Sequence, residues 1–450
     1  MSVLKLFDMQ IICKYFRCNT DFTNIMKVCK KYKQLVQSLH FNPIRLTKLN
    51  FNLFENIETQ YIFTKYDFIL PEIVKKIIMY RVNYQDVKDN TTIVFKNVDL
   101  ITDNAFDEVP NRFNIKRLMC SSNKHIKKIV VPNNCYTANF ILFEGLSNLE
   151  SIILPNGLTK LSAGCFRDLA KLNKIVIPNS VLEIGDSCFE RCKKLKNLSL
   201  PIGLRYIGAR CFYECESLIS IELPNGLTKF NYLCFVHCTK LNKIVIPNSV
   251  LEIGNECFKD CTNLKNVILP KGLKIIPESA FENCKNLQYV KLSDSVKEID
   301  NLAFRHCKNL DSVLLPEGLQ IISTSAFSGC INLKYVRLPD SVKEIGDECF
   351  SNCTSLENVI LPEGLQIIPE SAFEYCTNLT QITLPKELKI IAGYAFSNCI
   401  NLKQIVLPNT LESIKPLAFM KCEHLKNNVE IPESVIHLDD DIYDFNDNLE

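Results

Sequence analysis

Apolar positions recur every 23 residues through the last two thirds of the chain, and residues 240–262 show one unit of this pattern. The first apolar residues of the unit alternate with polar ones, which predicts a short strand with one buried side. Pro247 ends this strand, because proline has no N–H to donate to a neighbouring strand. A second extended or turn segment follows, and then a compact irregular or short helical return. The apolar positions of the unit are Leu241, Ile244, Ile246, Val250, Ile253, Cys257, Phe258 and Cys261.

The same positions are apolar in one unit after another. A unit of this size cannot bury its own apolar side, so successive units must stack, and the period predicts a repeat solenoid. The recurring phenylalanine predicts a stacked aromatic spine. The prolines are Pro132, Pro155, Pro178, Pro201, Pro224, Pro247, Pro270, Pro316, Pro339, Pro362, Pro385 and Pro408, with Ser293 in place of one and a one-residue slip to Pro432. The phenylalanines are Phe143, Phe166, Phe189, Phe212, Phe235, Phe258, Phe281, Phe304, Phe327, Phe350, Phe373, Phe396 and Phe419.

Cysteines occupy two further positions of the unit, one directly before the phenylalanine and one three residues after it. In the first position alanine replaces cysteine in about half of the units, and alanine cannot bind a metal, whereas both residues fill a small buried site. We therefore interpret the cysteines as packing residues, and free thiols fit a reducing compartment. The later position holds Cys192, Cys215, Cys238, Cys261, Cys284, Cys307, Cys330, Cys353, Cys376, Cys399 and Cys422.

The composition adds limits rather than a function. Of the 450 residues 47% are apolar and 23% charged, with a net charge of +2, which gives no reason to expect nucleic acid or a membrane surface as partner. The apolar runs are shorter than the roughly 20 residues of a transmembrane helix. Asp8 and Lys14 interrupt the N-terminal apolar stretch, which therefore lacks the form of a signal peptide. We expect a cytoplasmic protein, with the cell surface, reached by a non-classical route, as the alternative.

Residues 310–332 (LDSVLLPEGLQIISTSAFSGCIN) resemble the 23-residue unit of the BspA-like leucine-rich repeats almost position for position. The resemblance covers roughly 120–440. It implies a leucine-rich-repeat solenoid with a parallel β-sheet on one face and turns or short helices on the other, used for protein binding. Some members of that family act at cell surfaces, so an adhesin or surface antigen is one alternative. The predicted organisation is an N-terminal region over 1–115, about 13 repeats over 116–440 and an acidic tail over 441–450.

The N-terminal region is predicted to hold a small helical cap. Apolar residues between Phe22 and Leu39 recur at helical spacing and stop at Asn42-Pro43, and residues 3–16 suggest a shorter helix before them. Together these segments are similar to an F-box, through an apolar first helix, the Asp-Phe that opens the second helix, and the ending VCKKYKQLV. That resemblance implies a substrate adaptor of a ubiquitin ligase with a Skp1-like partner. A plain helical cap on the solenoid is the alternative.

No arrangement of residues indicates an enzyme, a cofactor or a metal site. The six histidines are scattered without metal-ligand spacing, and the sequence contains no phosphate-binding loop, dinucleotide fingerprint or nucleophile elbow. His237 and His306 each precede a cysteine, but other residue types take that position in the other units. The sequence therefore favours a non-enzymatic interaction scaffold.

The outward side of the sheet is the predicted working surface. Seven of the twelve outward residues that lie two positions before the proline site are apolar. A continuous exposed apolar strip marks a contact surface, whereas the preference of β-branched residues for strands explains the same residues without one. Tyrosine and arginine dominate binding hot spots, which favours the central repeats. The candidate partner-binding residues are Tyr289, Lys291, Leu314, Tyr335, Arg337 and Ile360.

Overall fold

The repeats form a parallel β-solenoid of about 13 turns, which confirms the predicted fold class. The computed structural model describes residues 146–425 without a gap, and then 429–438 and 442. The earlier residues that it describes are 24, 39, 45–48, 59–62, 67, 69–70, 75–78, 82–83, 93–102, 113–120, 127–131 and 143.

Most turns contribute one strand of up to three residues just before the proline and a strand of two residues that starts five residues after it. The strands in chain order are β1 (Thr59–Ile62), β2 (Lys75–Ile78), β3 (Val82–Asn83), β4 (Ile93–Thr102), β5 (Phe113–Cys120), β6 (Lys128–Val130), β7 (Ser151–Ile153), β8 (Lys160–Leu161), β9 (Lys174–Val176), β10 (Glu183–Ile184), β11 (Asn197–Ser199), β12 (Tyr206–Ile207), β13 (Ser220–Glu222), β14 (Lys243–Val245), β15 (Asn266–Ile268), β16 (Ile275–Ile276), β17 (Tyr289–Lys291), β18 (Glu298–Ile299), β19 (Ser312–Leu314), β20 (Ile321–Ile322), β21 (Tyr335–Arg337), β22 (Glu344–Ile345), β23 (Asn358–Ile360), β24 (Ile367–Ile368), β25 (Gln381–Thr383), β26 (Ile390–Ile391), β27 (Gln404–Ile405), β28 (Ser413–Ile414) and β29 (His437–Leu438).

The strands before the prolines form what we call the first sheet. It consists of the hydrogen-bonded groups β6-β7-β9, β11-β13, β14-β15-β17-β19 and β21-β23-β25-β27, and strands of neighbouring groups lie side by side. The second sheet consists of β8-β10-β12, β16-β18-β20-β22 and β24-β26-β28-β29, with a single bridge between Lys229 and Glu252. Neighbouring strands pair in parallel, and most pairs join residues 23 apart, as between Tyr289 and Ser312. The sequence offset between paired residues therefore equals the repeat length of 23 residues.

The described part of the N-terminal region contains a sheet. Strands β1 to β5 form one parallel five-stranded sheet, in which β4 pairs with β2, β3 and β5. The prediction of a helical region over 1–115 therefore needs correction where these strands lie, and β4, with the sequence IVFKNVDLIT, is rich in β-branched residues. The helices predicted over 3–16 and 20–42 lie outside the described residues, apart from Asn24 and Leu39. The F-box-like segment stays a prediction.

The phenylalanines form the continuous aromatic spine that their spacing predicts. Consecutive rings from Phe143 to Phe419 lie with centroids 5.1–5.7 Å apart, and every pair from Phe189 onward is stacked with at most 15° between the ring planes. All thirteen rings are buried. Burial of one such side chain stabilises the fold by about 1.5–3 kcal/mol, and each ring is covered by the repeats on both sides.

The returns between the second sheet and the next first-sheet strand are turns, and no helix occurs in residues 146–425. Residues two before and two after each spine phenylalanine from Phe166 to Phe419 adopt left-handed backbone angles, as Ser279 and Asn283 do around Phe281, with φ of 50° and 58°. The N–H groups of these three residues donate to carbonyls of the following repeat at 2.8–2.9 Å. The alternation of backbone angles turns the N–H groups towards the neighbour, so a helix cannot form. The predicted alternative of short helices is wrong for this reason.

The cysteine that follows each phenylalanine has a defined bonding role. Its thiol donates to the phenylalanine carbonyl of the previous repeat, as from Cys215 to Phe189 at 3.2 Å, and the eleven bonds of this kind measure 3.1–3.3 Å. The same carbonyl accepts the N–H of Cys192 in its own repeat. A small, weakly polar donor is what a buried carbonyl with one free lone pair requires. Alanine packs in that space but donates nothing.

The solenoid continues into the predicted acidic tail. Ile442 is buried, and its carbonyl accepts the N–H of Phe419, which is the bond that Ala418 makes to Phe396 one repeat earlier. Residue 442 therefore occupies the position of the small residue before the phenylalanine, shifted by the same one-residue slip as Pro432. The tail predicted over 441–450 starts too early, and its remaining residues lie outside the described part.

Alkaline pH should destabilise this protein through its buried thiols. Burial raises the pKa of all eleven bonded thiols, that of Cys353 and of Cys422 to about 12. In the unfolded chain a cysteine ionises near pH 8.5, so the folded state keeps protons that the unfolded state releases. The contribution of these thiols to the free energy of unfolding is complete below about pH 8.5 and is lost as the pH rises towards 12. Above pH 8.5 each thiol lowers the free energy of unfolding by about 1.4 kcal/mol for every pH unit.

Urea unfolding followed by circular dichroism between pH 7.5 and 9.5 measures this loss, below the range in which lysine and tyrosine titrate. The midpoint should fall steeply with pH, and Cys307→Ala should lower the pH slope by about one proton. An unfolding midpoint that does not change over this range would contradict the assignment.

Candidate interaction surface

The outer face of the first sheet carries two columns of exposed side chains. In β17 the outer residues Tyr289 and Lys291 are exposed on either side of the buried Val290, and most other first-sheet strands repeat this pattern. We call this the first-sheet face. Its second column is exposed at all twelve positions, which are Ile153, Val176, Ser199, Glu222, Val245, Ile268, Lys291, Leu314, Arg337, Ile360, Thr383 and Val406.

The six candidate residues lie together on this face, in four adjacent repeats. Lys291 is paired in register with Leu314, and Arg337 with Ile360. Strands β19 and β21 belong to different hydrogen-bonded groups but lie side by side, so the two pairs form one surface. The candidates are the exposed residues Tyr289, Lys291, Leu314, Tyr335, Arg337 and Ile360. The structure shows their exposure and proximity, and their binding role stays a prediction.

Arg337 forms an ion pair, whereas Lys291 does not among the described residues. Its guanidinium lies 2.6 Å from the carboxylate of Glu317 in the preceding repeat, and this hydrogen bond and charge raise the pKa of Arg337. Both side chains are half exposed or more, so water screens the pair and it contributes little to stability. Arg337 therefore presents a partly neutralised charge to a partner, whereas Lys291 has no acid within ion-pair distance among the described residues.

A groove opens beside Tyr289 and Lys291, and sequence reasoning missed its two other lysines. The groove is open, has a volume of about 800 Å³, and crosses β14, β15 and β17. Lys243 and Lys271 contribute charge to its lining, and Ile268 contributes an apolar side chain that is 53% exposed. We call it the basic groove, and its further lining residues are Asn266, Val267, Leu269, Leu292, Ser293, Asp294 and Ser295.

The break in the proline pattern lies at this groove. Ser293, which replaces the proline, and Ser295 line it and are hydrogen-bonded to each other at 2.8 Å. Lys243 precedes its proline by four residues and Lys271 follows its own by one, so the column that we chose from the sequence contains neither. A survey of every outward column around Ser293 would have found both.

A second cluster of charges lies in the returns, and its charges neutralise each other. The buried carboxylate of Glu190 lies 3.2–3.4 Å from the guanidinium groups of Arg167, Arg191 and Arg210. Burial raises the pKa of this carboxyl, but a hydrogen bond from Ser187 and the neighbouring arginines outweigh it, and the pKa of Glu190 lies below its ordinary value. Asp168 and Glu214 also lie within 4.0 Å of Arg191, so three acids balance the three arginines and the cluster links three repeats without a net charge.

The cysteines are not arranged as metal sites. All 17 cysteines between residues 165 and 422 are unbridged and buried. Within the described part of the chain, no three histidine, cysteine, aspartate or glutamate side chains gather as they do around a metal ion. The described ranges also contain no helix long and apolar enough to cross a bilayer.

Comparison with known families decides what kind of repeat this is. The model of the "BspA type Leucine rich repeat region (6 copies)" matches residues 113–242, 231–357 and 320–450. The chain belongs to the BspA-type leucine-rich repeat family. The matches begin at residue 113, so they do not bear on the F-box-like segment. No curated protein matches the sequence.

Two solved bacterial structures are among those to which the chain is similar. A leucine-rich repeat protein from Bacteroides ovatus is 29% identical, with a TM-score of 0.57, over 64% of this chain and 82% of that chain. The pneumococcal vaccine antigen PcpA is 20% identical, with a TM-score of 0.44, over 71% of this chain and 90% of that chain. The Bacteroides protein supports the BspA-type solenoid as the fold of this chain.

A charged substitution should cost little stability at an exposed position of the first-sheet face and much more at a buried position of the same sheet. Leu314→Asp should change the free energy of unfolding by about 1 kcal/mol or less, because residue 314 is 56% exposed. Val336→Asp, one repeat further, places a carboxylate in a fully buried position and should cost several kcal/mol. Urea unfolding of the two variants checks this, and equal losses would contradict the assigned orientation of the strands.

Proposed function

We propose that this chain is a non-enzymatic protein-interaction scaffold that binds a protein partner through its first-sheet face. The observation that carries the proposal is the exposed apolar column of that face, with Ile268, Leu314 and Ile360 each 43–56% exposed beside two exposed tyrosines. Exposed apolar side chains that continue over several repeats favour a contact surface. A preference for β-branched residues explains isoleucine, but it does not explain Leu314.

The second sheet is the weaker candidate for the same role. Its outer column also contains exposed isoleucines, such as Ile275 and Ile367. With Tyr206 these are the three exposed apolar or aromatic residues of that column, whereas seven apolar residues are exposed in the second column of the first-sheet face. A larger exposed apolar surface marks a contact surface, which favours the first-sheet face.

We also propose a reducing compartment, the cytoplasm, as the place where the protein acts. The support is the hydrogen that each of eleven thiols donates to a phenylalanine carbonyl, as Cys307 does to Phe281 at 3.2 Å. A disulfide would remove that hydrogen and leave a lone pair of the buried carbonyl without its donor. Reducing conditions keep thiols in the form that this fold uses.

The double variant Tyr335→Ala with Arg337→Ala should abolish capture of the partner while the chain still folds, because both residues are exposed. The experiment compares proteins retained from cell extract by the immobilised wild-type chain and by the variant, with circular dichroism as the folding check. The matched control is Arg205→Ala with Tyr232→Ala, two exposed residues of the same types near the second sheet. Unchanged capture by the first variant, or equal loss in the control, would refute this surface.

A further inference from the structure

We propose that the basic groove binds an acidic, extended peptide segment of the partner that carries a large apolar side chain. This proposal rests on the proposed function, because the groove is part of the first-sheet face. The groove brings two features together in one cavity. They are lysines without acidic partners and an apolar surface large enough for a side chain.

The lysines of the groove are available to a ligand. Lys243, Lys271 and Lys291 all line the groove, and no acid lies within 4.0 Å of their amines among the described residues. Asp294 is the one acid of the lining, so the groove keeps a net positive charge. Other lysines form ion pairs. On the second sheet, the amine of Lys160 lies 2.7 Å from the carboxylate of Glu183.

The apolar part of the groove lies between these charges. Ile268 is 53% exposed and Tyr289 is 45% exposed, on the adjacent strands β15 and β17. Strands β14 and β17, which carry Lys243 and Lys291, are two strand spacings apart, or about 10 Å. An extended peptide advances about 3.3 Å per residue, so acidic residues three or four apart reach both lysines and leave a side chain between them for the apolar patch.

Charge along the whole first-sheet face also favours a short acidic segment over a long polyanion. On the N-terminal side of the groove Lys174 and Lys196 stand against Glu150 and Glu222. On the C-terminal side five acids stand against Lys334, Arg337, Lys386 and Lys403, so no continuous basic track extends from the groove for a chain of phosphates. The acids on that side are Asp311, Glu317, Asp340, Glu357 and Glu363.

Fluorescence anisotropy with defined peptides tests the proposal on the full chain. The probe is a short fluorescein-labelled peptide of glutamates around a central phenylalanine, and the matched peptide carries glutamine in place of each glutamate. The wild-type chain should bind the acidic peptide at least about tenfold more tightly, and the difference should shrink between roughly 50 mM and 300 mM salt. Replacement of the peptide phenylalanine with alanine should weaken binding further.

The groove itself is tested by Lys243→Glu, Lys271→Glu and Lys291→Glu in one chain, which should lose at least about tenfold in affinity. The charge-matched control is Lys240→Glu, Lys285→Glu and Lys308→Glu, three exposed lysines outside the groove and also without acidic partners. It should retain binding within about threefold. If the groove variant does not fold, the two peptide substitutions still test the proposal on the wild-type chain.

Four results would overturn the proposal: equal binding of both peptides, equal loss in both lysine variants, full binding by the groove variant, or equally tight binding of a single-stranded oligonucleotide. Failure here is separate from failure of the proposed function. A chain that ignores both peptides, yet loses its partner when Tyr335 and Arg337 are replaced, refutes only the groove assignment.

Discussion

Every repeat of this protein depends on the next one to complete its buried hydrogen bonds. The carbonyl of each phenylalanine in the spine accepts one N–H from its own repeat, and all but the first and last of those from Phe143 to Phe419 also accept a thiol from the next, as Phe281 does from Cys307. The phenylalanine ring is covered by rings on both sides, at 5.3–5.4 Å for Phe304. An isolated repeat would leave both the ring and the carbonyl exposed or unpaired. A single repeat is therefore not stable by itself, and every repeat must keep the same length for these bonds to form.

This constraint on the interior leaves the outer side chains free to vary. Residues such as Val290 and Val336 must be apolar, because they are buried in the core between the sheets. Their neighbours Tyr289, Lys291 and Arg337 carry no such requirement, because water or a partner faces them. The packing of the interior therefore does not account for the differences among the outer columns. The missing proline at Ser293 is a difference of this kind, and the basic groove lies beside it.

Features that follow from period and size could be predicted from the sequence. The aromatic spine and the buried cysteines follow from residues that recur at fixed spacing, and so does the exposure of Leu314. The sequence left turns and short helices as alternatives for the returns, because the left-handed angles fall on residues as different as Ser279, Asn283 and Tyr375 and on glycine at only two such positions, Gly164 and Gly329. The ion pair that engages Arg337 depends on side-chain geometry between repeats, which a single unit of sequence does not contain.

The central claim is that a partner contacts the first-sheet face, and site-specific photo-crosslinking tests it most directly. A photoreactive phenylalanine analogue is placed at Tyr289, at Tyr335, or at Tyr375 in a return; these tyrosines are 45%, 47% and 44% exposed, so the positions are matched in type and accessibility. We predict that the analogue at positions 289 and 335 forms an adduct with one and the same protein, and that the analogue at position 375 forms none. Adducts of equal yield at Tyr375, or at Tyr375 alone, would contradict it.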